Sequence, residues 1–411
     1  MATSLFKRNF PGVMQLQEAA NTAGYIIGLD LHSRTTAICV ISPGKPHEIL
    51  FQRKRLKNED LLEKVQEFPG KKLIACEAAF GWFPLRDALA PLPDTTFVAL
   101  DARKTSSWAA TSGIKTDKVD AQVLCHVCLQ GGIPRLAVHQ PSRHARECFK
   151  LALHREQLVR QRTRLKNQVQ AVTREYGINP YTGEAPKKSD LVTFMEADLL
   201  EALSYTEERI KRAEDWMACL GKDDPVIPLL QTIPGIGPIN SFALRWKIET
   251  IDRFEDSAHL SSYFGLGIRE CQSGGMRRKG KITKTGSTLV RKLLVQGAQA
   301  MCAKRPENLS LYFPALAARG NMRDRTHVNK IVVALARKNL TFVYRSWKTG
   351  EAFDLATYRR KREQAAALAN SCVVRECRDA ASSSPCTSPR VVPETAADLE
   401  FEFARQGRDK V

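Results

Sequence analysis

Four acidic residues in the first third of the chain stand where they could do chemistry together. Asp30 ends the run Tyr25-Ile26-Ile27-Gly28-Leu29, Glu77 ends Lys72-Leu73-Ile74-Ala75-Cys76, and Asp117 and Asp120 follow Thr116 three residues apart. Carboxylates at the ends of short apolar runs sit on rigid elements, which metal ligation at fixed distances requires. Brought together, the four would meet the needs of two divalent cations in phosphodiester chemistry, activating the attacking oxygen and stabilising the leaving one. An all-oxygen set that leaves waters on the ion suits Mg²⁺, with Mn²⁺ as a substitute. The same positions also serve ordinary roles, because acids cap sheet edges and are stabilised in first helical turns.

The apolar patterning indicates which elements would hold these residues. Residues 25–30 and 35–41, joined by the polar turn His32-Ser33-Arg34, read as a β-hairpin, with 48–53 as a third, more exposed strand. Asn58 caps an expected helix reaching about residue 68, strands follow at 72–77 and 95–100, and Gly81-Trp82-Phe83-Pro84 starts a helix between them. Thr116 is the expected N-cap of a helix that carries Asp117 and Asp120 on one face. This order predicts an α/β domain with a mixed sheet over residues 25–142. Residues 1–24 show no clear pattern and are expected to be a loose lead-in. Cys125 and Cys128 form a Cys-x-x-Cys without a second ligand pair at zinc spacing, so they read as buried helical thiols.

Across 411 residues Lys and Arg outnumber Asp and Glu by 63 to 44, a formal charge of +19. That excess points to a polyanionic partner, foremost nucleic acid. No apolar run is long enough for a membrane span, and Lys7 and Arg8 precede no apolar stretch of a secretory signal. Eleven cysteines without framework spacing suit a reducing cytoplasm.

The charge is unevenly placed. In 143–222, Leu151, Leu158, Leu165 and Val172 recur every seven residues amid many arginines, which predicts a long basic helix with an antiparallel return helix. Arg155, Arg162 and Lys166 are its candidate contacts to a sugar–phosphate backbone; a coiled-coil spacer or a dimer contact is the alternative. Residues 223–350 read as a mostly helical domain. Its Thr232-Ile233-Pro234-Gly235-Ile236-Gly237-Pro238 is like a helix-hairpin-helix, in which Gly235 and Gly237 would offer backbone N–H groups to a phosphate. Ser273 then precedes Gly274 and Gly275, with Arg277, Arg278, Lys279, Lys281 and Lys284 close behind; glycines at 274, 275, 280 and 286 would let a phosphodiester approach. Residues 351–411 are rich in Ala, Ser and Pro, balance their charges, and are expected to be largely disordered.

Taken together, Gly28-Leu29-Asp30-Leu31-His32, Cys76-Glu77 and Lys115-Thr116-Asp117-Lys118-Val119-Asp120-Ala121 resemble the DEDD blocks of the insertion-sequence one-ten transposases, relatives of the Piv DNA invertases. Ile233-Pro234-Gly235-Ile236-Gly237, Tyr263-Phe264-Gly265-Leu266, Ser273-Gly274-Gly275 and Gly280-Lys281-Ile282-Thr283-Lys284-Thr285-Gly286 resemble that family's second domain, with all blocks in order from about residue 25 to 345. The resemblance implies an RNase H-like, RuvC-like N-terminal domain with Asp30, Glu77, Asp117 and Asp120 as a metal-binding tetrad. It also implies a catalytic Ser273 that becomes covalently joined to DNA, a structured guide RNA (the bridge RNA), and a homo-oligomer between dimer and tetramer. Two other readings stay open: a metal-dependent, Holliday-junction-resolvase-like nuclease without a covalent serine, and a non-catalytic nucleic-acid-binding protein.

Overall fold

The computed structural model describes residues 12–79, 81–109, 117–176, 188–273, 276–304, 325–361 and 363–364. The chain divides into two compact units: residues 1–146 with 249–255, and residues 147–248 with 256–411.

The first unit is built on a five-stranded mixed sheet in the order β3-β2-β1-β4-β5, with β1 at Tyr25–Leu31, β2 at Thr35–Ser42, β3 at Lys45–Lys57, β4 at Lys72–Glu77 and β5 at Thr95–Leu100. The first three strands are antiparallel, and β4 and β5 run parallel to β1. Side chains of a strand alternate between faces, and both faces here are covered. Ile26, Leu73, Ala75, Val98 and Leu100 pack under helices α1 (Val13–Thr22) and α5 (Asp117–Leu129). Ile27, Leu29, Ile74, Cys76 and Ala99 pack with residues of α2 (Leu61–Gln66) and α3 (Trp82–Leu89).

Three helices here are absent from the sequence reading, the short α6 (Ile133–Leu136) among them. Helix α1 lies inside the expected loose lead-in, yet Val13 and Ala20 are buried, and the Gln17 side chain donates to Cys128 O (2.9 Å) and accepts from Ile133 N (3.3 Å). Its pattern spans only three turns and carries polar residues between, too short a stretch for periodicity to register. Helix α4 (Ala102–Ala109) follows β5, capped by Asp101 Oδ1, which accepts from Arg103 N (3.3 Å). The Cys-x-x-Cys behaves as read: Cys125 and Cys128 are fully buried, and burial pushes the Cys128 thiol up to about 12.

The segment 249–255 returns to this unit through a polar clamp. Glu249, with a φ of 64°, accepts from Ser142 N (3.0 Å) and pairs with His139 Nε2 (2.9 Å). Burial alone would raise this carboxyl, but hydrogen bonds from His139 and Ser142 outweigh it and hold it at about 2.

The second unit is dominated by helices: α7 (Arg143–Tyr176), whose first turn belongs to the first unit, α8 (Asp190–Gly221), α9 (Val226–Gln231), α10 (Pro238–Ile248), α11 (Ser257–Tyr263), α12 (Thr288–Lys304) and α13 (Arg325–Thr349). The short α6 (Ile133–Leu136) precedes them in the first unit. Of the seven-residue seam of α7, Leu158 is buried and Leu151, Leu165 and Val172 are half-buried. Glu156 on the same helix is buried; burial opposes its charge, but hydrogen bonds from Lys292 (2.7 Å) and Arg160 (3.0 Å) hold the carboxyl below its ordinary range. One element of this mostly helical unit was not expected. The basic stretch around Ser273 is an antiparallel ribbon of β6 (Ile268–Ser273) and β7 (Met276–Ile282). Glycine and charge conceal it in the sequence, since neither strand shows apolar alternation. Residues 351–361 are ordered against α13, while most of the tail expected to be disordered lies outside the described residues.

Candidate active site

Strand register brings the first two carboxylates together. In the parallel pair β1–β4, Leu29 lies opposite Cys76, so Asp30 and Glu77 follow on neighbouring strands at the same sheet edge. Alternation also gives them one face: Asp30 has the parity of Ile26, and Glu77 that of Leu73 and Ala75, all on the side covered by α5.

Helix α5 approaches that edge with its N-terminus. A Cβ on Gly28 would lie 2.0 Å from Ala121 O, so helix and strand backbones are in direct contact there. Four residues on, Cys125 Sγ lies 3.6 Å from Ile26 O. Going from Ala121 to Cys125 therefore retraces the strand from Gly28 to Ile26: the helix runs antiparallel to β1, and its first turn points toward Asp30. Asp120 lies in that turn, half-buried. Asp117 is the first residue of the helix, and its side chain lies outside the described atoms.

Each strand carboxylate has a side-chain neighbour. His32 Nε2 lies 3.5 Å from Asp30 Oδ2. The Thr105 hydroxyl of α4, 2% exposed, donates to Glu77 Oε1. Thr105 is a positioning residue that the sequence reading missed. One signal was available: Leu100-Asp101 repeats the strand-then-acid pattern of Leu29-Asp30 and Cys76-Glu77, and Asp101 caps the helix bearing Thr105. Burial and the charge of Glu77 push the Cys76 thiol up, which removes it as a nucleophile.

Among the described residues, no three His, Cys, Asp or Glu side chains stand close enough to form a ready metal cage. What the edge offers is Asp30 and Glu77 on one face of neighbouring strands, with the first turn of α5 directed toward that edge. That donor set fits Mg²⁺ or Mn²⁺ better than a thiophilic ion.

Ser273 stands at the far end of the ribbon. It pairs with Met276, so Gly274 and Gly275, outside the described residues, join the strands. Gln272 and Cys271 lie opposite Arg277 and Arg278, and Glu270 opposite Lys279; the side chains of 270–279 are not among the described atoms. At the ribbon's base Lys281 is exposed and Lys284 adopts a φ of 56°. Gly286 serves a different purpose from the expected phosphate approach: a Cβ there would lie 2.0 Å from Tyr263 O, so it lets two chain segments cross.

Other candidate contacts divide between structural and open roles. Arg155 is tied to Glu214 (2.6 Å) and Lys166 to Glu207 (2.9 Å), which joins α7 to α8. Arg162 is half-buried and adds its charge near Glu207. Gly235 packs its backbone against Gly297, where a Cβ would lie 2.7 Å from the Gly297 carbonyl, whereas Gly237 faces open space. Asn240 donates to Gly235 O (3.1 Å), and the buried Asn339 donates to Pro234 O (3.1 Å), so the hairpin is rigidly pinned.

Comparison with known proteins bears on the same two regions. Residues 27–178 match the DEDD transposase model of IS110 elements, described as a transposase, and residues 227–313 match the family described as Transposase IS116/IS110/IS902 family. The chain is 27% identical over 338 residues, 77% of its length and 95% of the relative's, to a probable family 20 transposase of Pseudomonas aeruginosa. It is 26% identical over 248 residues to the transposase for insertion sequence element IS1111A of Coxiella burnetii (56% of this chain, 66% of that one). It is 27% identical over 258 residues to a pilin gene-inverting protein of Moraxella bovis (60% and 71%). With a carboxylate-bearing sheet edge inside the first match and the ribbon of Ser273 inside the second, the chain belongs to the IS116/IS110/IS902 family of transposases, enzymes that act on DNA.

Proposed function

We propose that this transposase cuts and rejoins DNA strands with a Mg²⁺-dependent tetrad, Asp30, Glu77, Asp117 and Asp120, and with Ser273 as nucleophile. The convergence of Asp30, Glu77 and the N-terminus of α5 on one edge and one face of the sheet carries this reading. The strand order β3-β2-β1-β4-β5, antiparallel and then parallel, supports an RNase H-like, RuvC-like assignment.

Bound Mg²⁺ or Mn²⁺ would neutralise charge at the scissile phosphate and polarise its oxygens. The tetrad's part is to hold that charge in place. Thr105 donates to one Glu77 oxygen, which restricts the rotamer of the carboxylate. The Ser273 oxygen attacks phosphorus; an Oγ–P bond forms as one P–O(sugar) bond breaks, and the serine proton passes to the departing sugar oxygen. Attack on the phosphoserine by the hydroxyl of another strand reverses the exchange and reseals DNA. Arg277, Arg278 and Lys279, on the facing strand, would stabilise charge in the transition state. The glycines after Ser273 keep the approach clear.

The same reading includes a structured guide RNA and a homo-oligomer, for which the +19 charge leaves ample polyanion-binding capacity. No helix among the described residues is long and apolar enough to cross a membrane. The deciding experiment traps the protein on a nicked suicide DNA substrate, digests both, and sequences the modified peptide. The expected adduct is a phosphonucleotide on Ser273, formed with Mg²⁺ and lost in EDTA. Cleavage that survives Ser273→Ala would favour the resolvase-like nuclease instead.

A further inference from the structure

The C-terminal end of α13 and the chain beyond it form a cleft outside both family matches and apart from the site described above. One hydrogen bond ties the returning chain to the hairpin, and a local cap shapes the turn that follows it. Phe353 N donates to Thr232 Oγ1 (2.9 Å), and Asp354 caps the helical residues 355–361 by accepting from Ala356 N (2.9 Å) and Thr357 N (3.1 Å). The rings of Phe342, Phe353 and Tyr358 pack together with centroids 4.6–6.1 Å apart.

Ring packing explains why the segment docks, but not what surrounds it. The cleft of about 590 Å³ is lined by these rings and by Lys338, Arg345 and Lys361. Phe353 and Tyr358 are only half-buried, and Arg359 and Arg360 are exposed beside them. Lys338 Nζ lies 5.6 Å from the Phe342 ring centre and 5.8 Å from that of Tyr358. Two acids also line the cleft, Glu351 and Asp354, and Asp354 is committed to capping. The cleft adjoins the pinned hairpin, because Thr232 directly precedes Ile233-Pro234-Gly235 and Asn339 of α13 holds the Pro234 carbonyl.

Half-buried aromatic residues in a cleft that three cations also line suit a ligand with a flat π-system and a phosphate. We propose that this cleft binds unpaired nucleotides of a single-stranded nucleic acid, a base stacking on Phe353 and Tyr358 while Lys338, Arg345 and Lys361 hold flanking phosphates. A base stacks on an aromatic face whatever its identity, so sequence preference will be weak. A paired base cannot present its face, so duplex DNA gains little from the cleft.

The test uses the full chain in Mg²⁺-free buffer, so that binding is separated from cleavage and from the serine reading. Fluorescence anisotropy is followed with a short unstructured oligoribonucleotide, its deoxyribonucleotide counterpart and a duplex DNA, over a range of salt. Tyr358→Leu keeps an apolar side chain but removes the ring; it should weaken single-strand binding on the order of tenfold and leave duplex binding within about twofold. The triple variant Lys338→Gln, Arg345→Gln, Lys361→Gln leaves all three rings in place. It should weaken single-strand binding and lower the salt slope by about 0.7 for each lost phosphate contact. Tighter binding of the ribo-oligonucleotide would identify RNA as the source, and tighter binding of the deoxy form a separated DNA strand; either supports the site. Unchanged single-strand affinity in the triple variant overturns the proposal. So does equal weakening of duplex and single strand by Tyr358→Leu in a protein with an unchanged melting temperature.

Discussion

The sheet edge bearing Asp30 and Glu77 and the ribbon ending at Ser273 hold their proposed reactive groups in opposite ways. Strands β1 and β4 have Ile26, Ile27, Leu29 and residues 73–76 fully buried between two packed layers. The ribbon has two strands, and its starting residue, Ile268, is 39% exposed. Metal ligands must keep sub-ångström distances from one another, and a doubly covered sheet supplies that rigidity. The proposed nucleophile, Ser273, instead ends a strand paired with a single neighbour, which constrains it less than a doubly covered sheet would. The base of the ribbon is nonetheless firm, with Arg291 donating to both Phe264 O (3.0 Å) and Thr285 O (2.9 Å).

The largest test of this contrast removes one reactive group from each region. Asp30→Asn and Ser273→Ala should each lower strand transfer by at least about 10³-fold, since each removes a group that the proposed transition state needs. They should differ in metal linkage. DNA binding by the Ser273→Ala protein will still respond to Mg²⁺, whereas that response will be blunted in Asp30→Asn. Identical Mg²⁺ titrations of the two variants would erase the distinction between ligand and nucleophile.

Next in size is tolerance to a single methyl group. Gly28→Ala would drive a Cβ against the Ala121 carbonyl at 2.0 Å, and neither strand nor helix backbone can yield there. We expect a loss of about 3 kcal/mol in urea unfolding, the upper range for overpacking. Gly280→Ala in the ribbon meets Arg269 O at 3.2 Å and should cost under about 1 kcal/mol. Comparable losses at the two sites would show that the ribbon is as rigid as the sheet.

A milder perturbation addresses how the edge is tuned. Thr105→Val removes the hydroxyl held by Glu77 without changing volume much, and should raise the Mg²⁺ needed for half-maximal cleavage about tenfold. Thr105→Ser should restore it, and Mn²⁺ binding followed by electron paramagnetic resonance should weaken in parallel. If Val and Ser behave alike, the hydroxyl does not position Glu77.

The smallest effect is confined to the first unit. Glu249 titrates at about 2 when folded, below its ordinary carboxyl value of 4.5. A depressed carboxyl stabilises the fold above its unfolded value, and that contribution is lost as pH falls from about 4.5 toward 2. Because the side chain stays 22% exposed, about 1 kcal/mol is expected after allowing for solvent screening. Glu249→Gln should therefore flatten acid unfolding in that window, and an unchanged acid transition would show that the clamp contributes nothing.

The sequence by itself determined much of the first unit, because its strands are short apolar runs closed by polar turns. Strands β1, β2, β4 and β5 lie where alternation and turn residues put them, each within a residue or two. The helix carrying Asp117 and Asp120 starts directly after its expected cap, Thr116. Ser273 was identified as a candidate, but not its ribbon, whose strands are recognised only by pairing with each other. Helix α1 was not legible because three turns with intervening polar residues give no periodic signal, and the partners of its Gln17, Cys128 and Ile133, lie more than a hundred residues away. Arg155 and Lys166 were legible as charges but not as partners of Glu214 and Glu207, since a helix surface does not declare which helix will face it. Only tertiary structure decided that Asp30, Glu77 and the first turn of α5 share one edge and one face. That outcome rests on strand order and on a glycine thin enough to let a helix touch a strand, and neither is a local property of the chain.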